Sequence, residues 1–145
     1  MIRGIRPGIQ TFLDSAGDAA CYALTIIKIA EREIGGHIDV VSALEDGIER
    51  GFIRFNWENH DDGDNFFIDF PDAFLELLTG GPWSVHYGPA DYQARPGEYV
   101  VLRYERKTTS GTYSHFRLSD WDSLADSQTV KYGQVVSTRV FRRAA

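Results

Sequence analysis

The chain has 145 residues, 43% of them hydrophobic and 13% aromatic, with one cysteine and a formal net charge of -6. This length and content suit one domain, 1–145, with a real apolar core, and exclude a fibre, a disordered tail and an internal disulfide. The acidic balance excludes a generic nucleic-acid binder, because phosphate contacts need clustered cations and the one basic cluster is Arg139 with Arg142 and Arg143.

Residues 1–17 form a lead-in with turn residues at Pro7-Gly8 and Ser15-Ala16-Gly17 and a helical turn around 9–13. The first strong signal predicts a helix over 19–34, where Tyr22, Ile26, Ile29 and Ala30 recur at helical spacing between an Asp18 N-cap and a Gly35-Gly36 stop. Asp39 caps a second predicted helix over 40–50, whose stripe is Val41, Leu44 and Ile48, and the two are expected to pack as a pair. From 52 to 70 the pattern breaks into a polar, acidic loop at 56–65 followed by Phe66-Phe67-Ile68-Asp69-Phe70. Its carboxylates lack the alternating spacing and distant glutamate of an EF-hand, so the loop reads as solvated, without metal and with no role for His60. A third helix is predicted over 71–79, opened by Pro71 and closed by Gly80-Gly81-Pro82.

After Gly81 the helical stripes give way to short alternating or β-branched runs at 83–87, 98–105, 112–118, 121–122, 129–132 and 134–141. Hairpin loops are expected at 107–111 and around Tyr132-Gly133. Helices first and an antiparallel sheet second define an α+β chain. No apolar run reaches membrane-spanning length, and the first residues lead into no signal-peptide core, so a cytoplasmic protein without a membrane partner is expected.

Cys21, in the first turn of the first helix, is either a small buried apolar residue or a nucleophile. Backbone N–H groups at a helix start have no intrahelical partner and favour negative charge, which lowers a thiol's pKa, more so beside an imidazolium. A partner is sought in the run from Ser114 to Leu124. With a turn at Ser119-Asp120, His115, Arg117 and Asp122 share one face while Phe116 and Leu118 enter the core. A carboxylate beside His115 fixes its tautomer and raises its basicity, whereas an Arg117–Asp122 surface ion pair leaves the histidine a bystander. His37 reads as a loop residue and His86 as a half-exposed strand residue.

A cysteine opening an N-terminal helix, followed by a strand with Ser114-His115-Phe116 and then Trp121-Asp122, resembles the papain-like superfamily of cysteine peptidases and amidases, in its compact bacterial branches. The runs Arg95-Pro96-Gly97-Glu98-Tyr99, Trp121-Asp122-Ser123-Leu124, Thr129-Val130 and 136–141 further resemble a family of small bacterial and phage-borne proteins. The resemblance implies a papain-like fold, with Cys21 as nucleophile, His115 as general base and then acid, and Asp122 as the orienting group. Asp120 is the alternate for that last role. It implies oxyanion donors in the Cys21 N–H and an upstream glutamine; position 15 is Ser15, so Gln10 is the candidate. The implied activity is hydrolysis of a peptide or other amide bond, on a peptide, protein or cell-wall peptide substrate, with no cofactor or metal. The alternative is a catalytically inactive papain-like binding protein, such as a phage-borne inhibitor whose acidic surface occupies a basic site on a host protein.

Overall fold

The computed structural model describes residues 21–55, 66–109, 111–119 and 133–144. The chain divides into two compact units, Met1–Thr79 and Gly80–Ala145.

In the first unit, helix α1 (Cys21–Ile34) buries Ala23, Thr25, Ile26, Ile27, Ile29 and Ala30, the stripe set by its apolar spacing. Thr25, a polar residue on that stripe, donates its hydroxyl to the Cys21 carbonyl (2.7 Å), so its burial strands no polar group. The helix ends at Gly35, whose φ of +69° is the left-handed conformation that glycine adopts without a Cβ penalty and whose N–H reaches Glu31 O (2.9 Å). Glu31 also ties down the turn that follows: its carboxylate accepts from Ile38 N (3.0 Å) and lies 3.1 Å from His37 Nδ1. Helix α2 (Val40–Glu49) starts at the expected Asp39 cap, whose carboxylate accepts from Val41 N (3.3 Å) and the Ser42 hydroxyl (2.9 Å). Helix α1 meets α2 at few positions, however. Its main helical neighbour is α3 (Pro71–Thr79), because Phe74 and Leu75, both fully buried, give α3 the larger apolar face.

The stretch read as an irregular break holds a small antiparallel hairpin. Strands β1 (Ile53–Phe55) and β2 (Phe66–Ile68) pair Ile53 with Ile68 and Arg54 with Phe67. Three residues per strand are too few to display alternation in sequence, but the structure shows its effect. Ile53 is buried, while the exposed Arg54 caps the Phe67 ring (4.7 Å) and holds Asp69 through two bonds of 2.6 and 3.0 Å. The acidic loop at 56–65, with His60, lies outside the described residues.

The second unit is a four-stranded antiparallel sheet in the order β3-β6-β4-β5, formed by β3 (Trp83–Gly88), β4 (Glu98–Thr108), β5 (Gly111–Leu118) and β6 (Gln134–Arg143). Strands β4 and β5 pair out to Thr108 and Gly111, so the ladder extends into the span 107–111 expected as a hairpin loop. The strands expected at 121–122 and 129–132 lie outside the described residues. Register along β4 and β6 shifts at Arg103/Tyr104, where Ser137 and Val135 are the successive partners and Val136 is the extra residue of a bulge. One face carries Val100, Tyr104, Thr138 and Val140, and the other Trp83, Val101, Leu118, Arg139 and Phe141, all buried. Strand β4 therefore reads as a continuous apolar run at Val100-Val101 instead of alternating. No helix among the described residues is long and apolar enough to cross a membrane.

Candidate functional site

Cys21 is the first described residue of α1 (Cys21–Ile34) and is half-buried, with its thiol not in a disulfide. Asp18 and Gln10 lie outside the described residues.

His115 stands in the second unit, on β5 directly opposite Tyr104 of β4. The two rings lie 6.3 Å apart at 50°, and the imidazole is half-buried against a phenol that is 1% exposed. Arg117 shares this face. It stacks on Tyr104 (5.5 Å) and donates from Nε to the phenol oxygen at 2.7 Å, a contact that sequence spacing along one strand does not reveal. Leu118 enters the core as expected, whereas Phe116 is only half-buried. Asp120 and Asp122 lie outside the described residues, so the described part of the candidate triad is Cys21 in one unit and His115 in the other. His86 is exposed on β3, and among the described residues no group of His, Cys, Asp and Glu side chains could hold a metal ion.

A cluster that sequence reasoning did not assign forms around Glu98. Gly97 supplies the positive φ (+83°) of a tight turn, Glu98 N donates to Arg95 O (3.0 Å), and the Glu98 carboxylate turns back over the same turn. It accepts from the Tyr92 hydroxyl (2.7 Å), from Arg95 N (3.0 Å) and from Arg142, which binds it through both Nε and Nη2. In sequence the run from Arg95 to Tyr99 carries a resemblance alone; the arginine that ties Glu98 down sits 44 residues away. These donors, the Tyr92 hydroxyl foremost, hold the Glu98 carboxyl at about 2 against an ordinary 4.5. Tyr92 moves the other way, above its ordinary 10.0, because its proton is committed to that carboxylate.

Each shift sets a sign for stability. The contribution of Glu98 is fully present above about pH 4.5 and is lost as pH falls toward about 2. That of Tyr92 is present below pH 10.0 and is lost as pH rises through its raised value. Thermal melts across pH are expected to show Glu98→Gln flattening the acid limb below about pH 4.5. Tyr92→Phe should weaken both limbs. An unchanged acid limb in Glu98→Gln would assign acid loss to other carboxylates.

Comparisons with protein-family models, with curated proteins and with solved structures found no match. The structure defines the coarse class, helices with an antiparallel sheet in an α+β chain.

Proposed function

We propose that the protein is a small cysteine hydrolase of papain-like type, which cleaves a peptide or other amide bond through Cys21. The observation that supports this reading is the place of the chain's one cysteine, half-buried at the N-terminal end of the described part of α1. The N–H groups and the dipole at the start of a helix stabilise a thiolate. In the proposed reaction the Cys21 sulfur attacks the amide carbonyl carbon while His115 takes the thiol proton. His115 then gives the proton to the leaving amine, and water hydrolyses the acyl-enzyme with His115 again as base. Asp122, or Asp120 in its place, orients the imidazole, and the Cys21 N–H with Gln10 holds the oxyanion.

The pH dependence of Cys21 alkylation by iodoacetamide tests it. Rapid labelling well below the ordinary thiol pKa of ~8.5 is expected, and its loss in His115→Ala. Slow labelling with an ordinary pH midpoint, unchanged by that substitution, would overturn the hydrolase reading and leave the non-catalytic binding protein in its place.

A further inference from the structure

Arg139 occupies the middle of β6 and is only 8% exposed. An arginine side chain does not shed its proton to escape burial, so the charge must be met where it lies. Its partners among the described residues are all neutral. Nη1 donates to Ser137 Oγ (3.0 Å) and Thr138 O (3.1 Å), while the guanidinium carbon lies 3.7 Å from the Tyr87 ring centroid and 5.7 Å from that of Phe116. Among the described residues, no carboxylate forms an ion pair with Arg139. Arg54, Arg103 and Arg142, with side chains 63%, 26% and 48% exposed, each hold one. Of these four arginines the most buried is the one with no carboxylate partner among the described residues.

We propose that Arg139 is the receptor for a small oxyanion, the carboxylate or phosphate group of a ligand, bound at the Tyr87–Arg139–Phe116 cluster of the sheet. The two rings approach the guanidinium, and the bonds from Nη1 go to its own strand, so Nε and Nη2 are the donors left for an anion. That N–H edge is the one that binds planar oxyanions in two parallel bonds. Ser137 Oγ accepts from Arg139 and keeps its own O–H to donate to the same ligand. Tyr87 pairs with Arg139 across β3 and β6 in direct register, and at 76% exposed its ring is a solvent-side wall that a ligand can displace or stack upon. Phe116 follows His115 on β5, and alternation along the strand sets the two on opposite faces of the sheet, so the residues of this site are not those proposed for the thiol chemistry of Cys21.

The test is an NMR titration of the Arg139 Nε–H resonance in chloride buffer at fixed ionic strength, with inorganic phosphate in one series and acetate in the other, alongside thermal melts. A saturable shift with phosphate or with acetate is expected, together with a melting temperature that rises with that anion. The series that saturates at the lower concentration identifies the group as phosphate or carboxylate. The thermal response should vanish in Arg139→Gln. If that variant does not fold, Ser137→Ala serves: loss of one charge-assisted bond should weaken the apparent affinity about tenfold while leaving the sheet intact. No saturable shift of Nε–H with either anion up to tens of millimolar would overturn the proposal, as would a thermal response equal in wild type and Arg139→Gln.

Discussion

Phe74→Ala is expected to destabilise the first unit by about 3–5 kcal/mol, the range for deleting a fully buried phenylalanine whose surroundings cannot collapse. The ring is 0% exposed on α3 and its edge meets the surface of α2 at Gly47, where a Cβ would lie 3.0 Å from Phe74 Cε1 and 2.6 Å from Ile53 Cδ1. Glycine inside a helix normally costs about 1 kcal/mol relative to alanine, so an exposed helical Gly→Ala change stabilises. Here the added methyl has nowhere to go, since Ile53 is 1% exposed and Phe74 fully buried. Overpacking of about 1–3 kcal/mol then offsets the propensity gain, and Gly47→Ala alone should be neutral to destabilising. Combined with Phe74→Ala, the same methyl enters the vacated space and regains its favourable sign. Denaturant unfolding of the two single variants and the double should therefore give a sum less destabilising than additivity by about 1 kcal/mol or more. Additive values would mean that Gly47 and Phe74 do not share a packing site.

Gly133→Ala should cost the second unit more than about 2 kcal/mol, because two penalties fall on one residue. Its φ is +93°, and a Cβ there would fall on the Glu105 carbonyl oxygen, a backbone atom fixed in β4, with Arg106 Cβ 2.9 Å away. Glu105 pairs with Gln134, so relief of the clash means opening the start of the β4–β6 ladder. Gly35 is the control. Its φ of +69° is also left-handed, but nothing lies within 4 Å of a Cβ built on it, and Gly35→Ala should cost only about 1 kcal/mol. Equal losses of melting temperature in the two variants would show that conformation alone, and not the carbonyl contact, sets the penalty at 133.

The sequence by itself determined what local chemistry determines. Asp39 as cap, Gly35 as stop and Pro71 as first helical residue placed three helices close to their observed bounds, because caps and breakers act within a few residues of themselves. The change from helical to strand spacing after Gly81 gave the α+β order and put His115 and Arg117 on one face of a strand, and the apolar spacing before Gly35 put Cys21 in a helix. The short hairpin at Ile53 and Phe66 escaped because its strands are shorter than the period that would mark them. Partners that come from distant segments were beyond any reading along the chain. The packing of α1 on α3, the hold of Arg142 on Glu98, the turn of Arg117 to Tyr104 and the stacking of Tyr87 on Arg139 depend on strand order, register or helix packing. Those are fixed when apolar faces from separate segments are buried together, so only the tertiary structure decided which charges are answered by carboxylates and which, at Arg139, are met among the described residues by neutral groups.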